Sequence, residues 1–212
     1  MQELFSFAHS SKIQIILAQE PLINNTTIKL IENNGNNGYE AVYDTTSVGT
    51  VRSAIFFPFQ FQCKALNSLI SLDVSAIELS TDGNPITILS VYNHESKTLM
   101  ETLSHVTVSE EWSKRRVIIG GDLNTRSTLW NSVRNDHPQK TLETETFLIL
   151  EDLAVVNTLN HPPTRITKHH KGSFIDLTLC SDQLLQQMIN GGSDVLEFFR
   201  SQICLFLCIT KA

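Results

Sequence analysis

Short apolar segments separated by polar turns predict a series of β-strands along this chain. Segment 72–79 begins with alternating apolar and polar positions, and segment 86–92 follows after the turn residues 82–85, so the two predict a hairpin. Residues 33–38, rich in Asn and Gly, predict another turn. Further strands are predicted at residues 13–18, 52–57, 117–120 and 173–179.

Apolar residues at helical spacing predict helices between some of these strands. Segment 2–10 places Leu4, Phe5 and Ala8 on one face, and residues 97–113 form a second helical segment. A third is predicted at 141–154, with its apolar positions at Leu142, Phe147, Leu148 and Leu153. Runs of strands with interspersed helices indicate an α/β layered fold built on mixed, partly antiparallel sheets.

Composition narrows the class of protein. The 212 residues suffice for one domain with a substantial core, and 41% hydrophobic with 18% charged residues is typical of soluble globular proteins. We expect neither a signal peptide nor a membrane-spanning segment. The few, irregularly spaced cysteines (Cys63, Cys180, Cys204 and Cys208) indicate free thiols in a reducing compartment.

The net charge of −6 argues against a protein that binds nucleic acid by bulk electrostatics. It leaves open a metal-dependent nuclease, because a bound cation offsets local negative charge. Basic residues do cluster at 114–116 and 168–171. Each cluster has two interpretations, a solvated surface or a contact with phosphate.

The segment 117–124 carries the most specific chemistry in the chain. Three apolar residues and two glycines lead into Asp122 and Asn124, which predicts a buried strand that delivers a carboxylate and a carboxamide to the rim of a sheet. In an extended segment these two side chains would point the same way. The alternative is a simple turn at the strand end, where Asp and Asn are common.

Other predicted strands place matching groups at or near their ends. Glu20 follows segment 13–18, Tyr92 ends segment 86–92, and Asp176 lies within segment 173–179. A carboxylate flanked by apolar residues, as Asp176 is, is costly to bury unless it is paired or binds a metal. Converging acidic oxygens suit Mg²⁺, and the reaction class that follows is metal-assisted hydrolysis of a phosphoester. Individually, each residue could instead be a surface, capping or sheet residue.

Four short motifs occur in a characteristic order: Gln-Glu-Pro at 19–21, Ser-Val-Tyr at 90–92, Gly-Asp-Leu-Asn at 121–124 with Trp130 nearby, and Ser-Phe-Ile-Asp-Leu-Thr at 173–178. With them the chain resembles the endonuclease domain of LINE-type, non-LTR retrotransposons, in the endonuclease/exonuclease/phosphatase superfamily that includes the apurinic/apyrimidinic endonucleases. The resemblance implies a four-layer α/β sandwich with two mixed, largely antiparallel sheets. It places the domain at residues 1–195 and leaves 196–212 as an atypical tail.

The resemblance also implies Mg²⁺-dependent nicking of DNA, with Mn²⁺ as an alternative cation. By motif, Glu20 would be a metal ligand, Asp122 would align or deprotonate the attacking water, and Asn124 would hold the scissile phosphate. Tyr92 would contact that phosphate and stabilise developing charge, and Asp176 would orient a catalytic histidine. We also expect the chain to belong to a longer parent polyprotein with a reverse transcriptase region. We expect no membrane partner and a nuclear or cytoplasmic location.

Two parts of the family pattern have no counterpart in this sequence. The family opens with an Asn-bearing strand before the first helix, and it ends with Ser-Asp-His, where this chain has Ser193, Asp194 and Val195. Asp194 is retained as a candidate metal ligand. We therefore expect a domain truncated at both ends, a sheet with an unpaired edge, and weak or absent nuclease activity.

Two alternative functions remain at this point. The first is a catalytically dead domain with a binding or scaffold role, which the replacement of the terminal histidine by Val195 favours. The second is a phosphatase of the same superfamily, acting on a small phosphoester or a lipid headgroup. The segment 173–178 and the Trp130 loop resemble the retrotransposon branch more closely than the phosphatases.

Overall fold

The computed structural model describes residues 2–11, 13–23, 38–46, 50–81, 84–130, 137–157, 165–167, 170–190 and 203–205, with backbone only for 165–167, 170–173 and 203–205. Residues 33–37 of the turn predicted at 33–38, the candidate ligand Asp194 and part of the turn at 82–85 lie outside the described residues. Among the described helices, none is both long and apolar enough to cross a membrane.

The secondary structure follows the predicted order. The described helices are α1 (Gln2–Ser10), α2 (Leu99–Thr107), α3 (Glu110–Ser113), α4 (Pro138–Leu150) and α5 (Asp182–Asn190). The strands are β1 (Ile15–Gln19), β2 (Tyr39–Tyr43), β3 (Ser53–Pro58), β4 (Cys63–Ala65), β5 (Val74–Leu79), β6 (Ile86–Tyr92), β7 (Val117–Asp122), β8 (Leu153–Val155), β9 (Arg165–Thr167), β10 (His170–Ser173), β11 (Asp176–Ser181) and β12 (Ile203–Leu205).

The strands form two main sheets and a small ribbon. The larger sheet has the order β4-β5-β6-β7-β11-β8, the smaller one has the order β12-β1-β3-β2, and β9 pairs with β10. The predicted hairpin of β5 and β6 is confirmed, with antiparallel register from Val74↔Val91 to Leu79↔Ile86. The parallel pair of β6 and β7 makes the larger sheet mixed.

Three apolar clusters arrange these elements in four layers. Leu4, Phe5 and Ala8 of α1 cover the outer face of the smaller sheet, as their spacing predicted. The inner faces of the two sheets pack against each other through residues such as Ile55, Ile88 and Ile118. Residues of α2, α3 and α4 cover the outer face of the larger sheet. The predicted α/β sandwich with two mixed sheets is therefore confirmed.

Several local predictions are corrected. The segment 97–113 forms two helices, α2 and α3, because Ser109 caps a new helix with its side chain. The helix predicted at 141–154 is α4, which ends at Leu150, and Leu153 belongs to β8 instead. Leu142 is 58% exposed, so the apolar face of α4 is formed by Phe147 and Leu148 with two buried threonines. Periodicity misassigned these positions because it cannot show which helical face meets the sheet.

In the smaller sheet, β12 and β2 are the edge strands and β1 is an internal strand. β1 is flanked on one side by β3 and on the other by β12, with which it pairs in parallel from Ile15↔Ile203 to Leu17↔Leu205. A segment of the predicted tail therefore lies in the same sheet as β1.

Candidate active site

Three candidate residues form one row across the larger sheet. Tyr92 at the end of β6 pairs with Asp122 at the end of β7, and Asp122 pairs with Asp176 at the start of β11. Residues directly opposite each other in a sheet project from the same face, with Cβ atoms about 5 Å apart in antiparallel pairs. The tertiary fold thus brings together three side chains from distant parts of the sequence.

This row lies at one end of the space between the two sheets. Side chains alternate along a strand, so Tyr92, Asp122 and Asp176 share the face of Ile88, Ile118 and Cys180, which fill the inter-sheet core. Asp122 and Asp176 are only 4% and 3% exposed, and Tyr92 is half-buried. The row therefore presents two desolvated carboxylates beside a phenol that solvent can reach.

The segment from Asp122 to Asn124 is a tight turn, which corrects the expectation of an extended segment. The backbone amide of Asn124 donates to Asp122 Oδ1 at 2.8 Å, and Asn124 has a left-handed φ of 46°. The two side chains therefore do not follow strand alternation. Asn tolerates this conformation better than most residues, and the Asp side chain stabilises the turn. Both interpretations of the motif hold, since the strand end carrying a buried carboxylate is also a turn.

The buried side chain of Asn93 stabilises the turn from Asp122 to Asn124. Sequence reasoning missed this residue. Its Nδ2 donates to the carbonyl of Leu123 at 3.0 Å, its Oδ1 accepts from the hydroxyl of Thr102 at 2.7 Å, and its own carbonyl accepts from Asn124 Nδ2 at 3.1 Å. Asn93 is fully buried. It therefore ties the Asp122–Asn124 turn to helix α2. Its position directly after Tyr92 was the signal that could have identified it.

Glu20 lies at the same end of the sandwich, on the opposing sheet. It follows β1 with a left-handed φ of 48°, and its backbone amide donates to the carbonyl of Arg52 at 2.8 Å. The preceding residue, Gln19, is fully buried and donates from Nε2 to Ser90 Oγ at 3.0 Å. Because Ser90 lies two residues before Tyr92 on β6, this hydrogen bond holds the end of β1 close to the row of Tyr92, Asp122 and Asp176. A left-handed conformation is costly for Glu, so the surrounding contacts must enforce it.

A cation lies in the electrostatic environment of Asp122. Lys140, in the first turn of α4, donates from Nζ to the carbonyls of His94 and Glu95 at 3.0 and 3.3 Å. Burial lowers the pKa of Lys140, while the negative charges of Asp122 and Glu95 oppose that shift. Sequence reasoning gave no role to Lys140, because its proximity to Asp122 depends on how α4 packs.

The donor set fits a hard divalent cation that keeps part of its water shell. Among the described residues, no three His, Cys, Asp or Glu side chains converge closely enough to form a metal cage. Mg²⁺ commonly binds proteins through one or two carboxylates, with water and substrate phosphate filling the other positions. The opposed carboxylates of Asp122 and Asp176 match that requirement.

Two other sequence features have structural roles. Trp130 is 3% exposed and packs in the core under the outer helices. In the basic run 114–116, Lys114 pairs with Glu110, Arg115 pairs with Glu151 at 3.1 Å, and Arg116 donates to the carbonyl of Pro85. This run precedes β7, at the opposite end of the strand from Asp122, so its contacts favour a surface role. Side chains of the second basic cluster, 168–171, lie outside the described residues.

Comparison with known families agrees with this geometry. The family model described as endonuclease-reverse transcriptase matches residues 86–197, more than half of the chain and all of the segment from β6 to β11. The chain belongs to the endonuclease-reverse transcriptase family. None of the curated proteins matches the sequence.

Solved structures share the fold of this family member. The endonuclease domain of TRAS1, a telomere-specific non-LTR retrotransposon, is similar with a TM-score of 0.70 and 26% identity, over 86% of this chain and 79% of that one. The AP endonuclease LMAP from Leishmania major has a TM-score of 0.60 at 12% identity, over 86% and 74% of the two chains. An endonuclease/exonuclease/phosphatase family protein from Leptotrichia buccalis has a TM-score of 0.56 at 10% identity, over 84% of this chain and 80% of that one. The resemblance predicted from the four motifs is confirmed, and the roles of the individual residues stay predictions.

Proposed function

We propose that this chain is an endonuclease domain of a non-LTR retrotransposon protein and hydrolyses phosphodiester bonds in DNA with the help of Mg²⁺ or Mn²⁺. The row of Tyr92, Asp122 and Asp176 across three adjacent strands carries the proposal. The similarity to the TRAS1 endonuclease domain supports the substrate class. The domain of this proposal comprises residues 1–195, and DNA is its partner.

Each residue has a task that its surroundings support. The Asp122 carboxylate, held at a strand end, orients the attacking water and accepts its proton. The side-chain amide of Asn124 and the hydroxyl of Tyr92 hold the phosphate and stabilise its developing charge. Asp176 lies directly opposite Asp122 on the neighbouring strand, and in the family pattern its position orients the histidine for which this chain has Val195.

A divalent cation bound at this end of the sandwich would offset the charge on the phosphate oxygens. Asp122 and Asp176 offer a directly opposed pair of carboxylates, and Glu20 lies at the same end on the opposing sheet. Asp194 is proposed as a further ligand from the sequence motif. The cation would also relieve the repulsion between the two buried carboxylates.

We expect the activity of this chain to be low. Within the motif at residues 193–195, Val195 stands where the family pattern has its terminal histidine. Loss of a group that transfers protons or stabilises phosphate charge typically lowers the rate by about 10² to 10⁴. A domain that binds DNA without cutting it is the limiting case of this expectation.

Nicking of supercoiled plasmid with Mg²⁺ tests the proposal, with wild-type chain compared with Asp122→Asn. The substitution keeps an acceptor for the Asn124 amide and removes only the charge, so the turn should persist. We expect slow nicking by the wild type and none by the variant. Asp182→Asn is the matched control, because Asp182 is an exposed carboxylate at the other end of β11. Equal nicking by wild type and Asp122→Asn would refute the proposed site.

A further inference from the structure

Two basic side chains beside the candidate site share one buried carboxylate. Arg52 Nη1 contacts Asp73 Oδ1 at 3.0 Å, and Lys97 Nζ contacts Asp73 Oδ2 at 2.7 Å. Asp73 is 4% exposed, whereas the side chains of Arg52 and Lys97 are 31% and 46% exposed. The group therefore has a buried negative centre and two cationic ends that solvent can reach.

Backbone hydrogen bonds place this group next to two site residues. The carbonyl of Arg52 accepts from the amide of Glu20 at 2.8 Å, and the carbonyl of Asp73 accepts from the amide of Tyr92 at 2.9 Å. Arg52 thus adjoins the Glu20 side of the site, and Asp73 adjoins the Tyr92 side. If Tyr92 holds one phosphate of a nucleic-acid strand, the next phosphates of that strand pass near Arg52 and Lys97.

The charges exceed what burial of Asp73 requires. One cation suffices to compensate one buried carboxylate, and here two contact Asp73, so these three side chains together carry a formal charge of +1 in a chain whose net charge is −6. The two cations already bind the two oxygens of a single anionic group, so they are close enough to share a second one. The guanidinium of Arg52 has further N–H donors beyond the one that contacts Asp73, in the fork geometry that suits phosphate.

We infer that Arg52 and Lys97, held by Asp73, form a subsite for a backbone phosphate of the nucleic acid that flanks the reacting phosphate. The inference rests on the proposed function, because the subsite serves a strand that passes through the site at Tyr92. Asp73 is the positioning residue of this subsite, and the two cations make the contact. The basic run 114–116, which the sequence suggested for this task, lies at the other end of the larger sheet.

Binding of a labelled DNA duplex in EDTA, measured over a range of salt concentrations, tests the subsite without catalysis. Each phosphate contact contributes about 0.9 to the slope of log K against log salt concentration. Lys97→Gln should therefore make the slope shallower by about 0.9. Lys114→Gln is the control, because Lys114 is also a half-exposed lysine paired with one carboxylate, Glu110. An unchanged slope for Lys97→Gln, or an equal change in the control, would overturn the subsite.

A second pair of variants separates the subsite from a purely structural role. Asp73→Asn keeps the shape and one acceptor oxygen that position the two cations and removes the negative charge that competes with phosphate, so we expect tighter binding of the duplex with no loss of slope. Asp73→Asn with Arg52→Gln leaves no unpaired buried charge, and it should lose about 0.9 of slope relative to Asp73→Asn alone. A merely structural group would change the melting temperature in these variants and leave the salt slopes equal.

The outcomes also distinguish the subsite from the proposed function. If the wild type binds and nicks DNA while all slopes stay equal, the subsite alone is wrong. If the wild type neither binds the duplex nor nicks plasmid, both inferences fail.

Discussion

Asp122 and Asp176 lie directly opposite each other, at the end of β7 and the start of β11. Both are buried, and like charges at directly opposed positions of a sheet destabilise it. A cation bound between the two carboxylates would remove that repulsion. The relationship connects the register of two strands with the chemistry expected at their ends.

The first prediction concerns metal binding. Mg²⁺ or Mn²⁺ should raise the melting temperature of the wild-type chain, because a ligand that binds only the folded state stabilises it by mass action, by about 2.7 kcal/mol at 100 times its Kd. Asp122→Asn and Asp176→Asn should each reduce the shift, and Glu20→Gln should abolish it. Differential scanning fluorimetry with and without EDTA measures the shift in melting temperature.

Asp182→Asn, which changes an exposed carboxylate at the far end of β11, should keep the full shift. A full shift in Glu20→Gln would remove Glu20 from the metal site. A full shift in all three site variants would place the cation elsewhere.

The second prediction concerns Asn93. Asn93→Ala leaves the buried hydroxyl of Thr102 without its acceptor, which costs about 1–3 kcal/mol, and the carbonyl of Leu123 keeps only the hydroxyl of Thr125 as a donor. Urea unfolding should show a loss of that size, and nicking should fall because the Asp122–Asn124 turn loosens. Asn67→Ala, at an exposed position, is the control. A stability equal to that of the control would contradict the role of Asn93.

The third prediction concerns Gly121, which adjoins Asp122. A Cβ atom at this position would lie 1.8 Å from the carbonyl oxygen of Val91 on β6. Since that contact is with backbone, relief requires the β6–β7 pair to separate, and Gly121→Ala should cost about 3 kcal/mol or more. Thermal unfolding measures the loss, and a melting temperature equal to that of the wild type would show that the strands do not approach this closely.

The fourth prediction concerns thiol reactivity and its pH dependence. Burial, with a smaller effect of Glu40, raises the pKa of Cys63 to about 12, and burial, with a smaller effect of Asp182, raises the pKa of Cys180 to about 12. The thiolate is the reactive form, so alkylation of the folded protein should be slow at pH 8 and accelerate as the pH rises toward these values.

Iodoacetamide labelling followed by peptide mass spectrometry checks this expectation for each cysteine. In urea, both thiols should regain a pKa near 8.5 and react quickly at pH 8. Labelling of Cys180 at the same rate in the folded and unfolded states would mean that its strand is not buried as the structure has it.

Much of the fold could be predicted from local patterns. Apolar runs and periodicity correctly placed strands β1, β3, β6 and β7 and helix α1. A buried apolar segment can be identified from consecutive residues alone, without knowledge of its packing partners. The errors occurred at Leu142, Leu153 and Asn124, and in segment 97–113, which forms two helices. At each of them the outcome depended on packing partners or on a hydrogen bond within a turn, which periodicity does not encode.

The sequence by itself determined which chemical groups stand at the strand ends and, through four ordered motifs, the family to which they belong. Only the tertiary structure decided that Tyr92, Asp122 and Asp176 form one row, that Asn93 supports it, and that Arg52 and Lys97 lie beside it. Strand register and sheet order join residues that are far apart in the chain. They follow from packing over the whole domain, and no local pattern contains them.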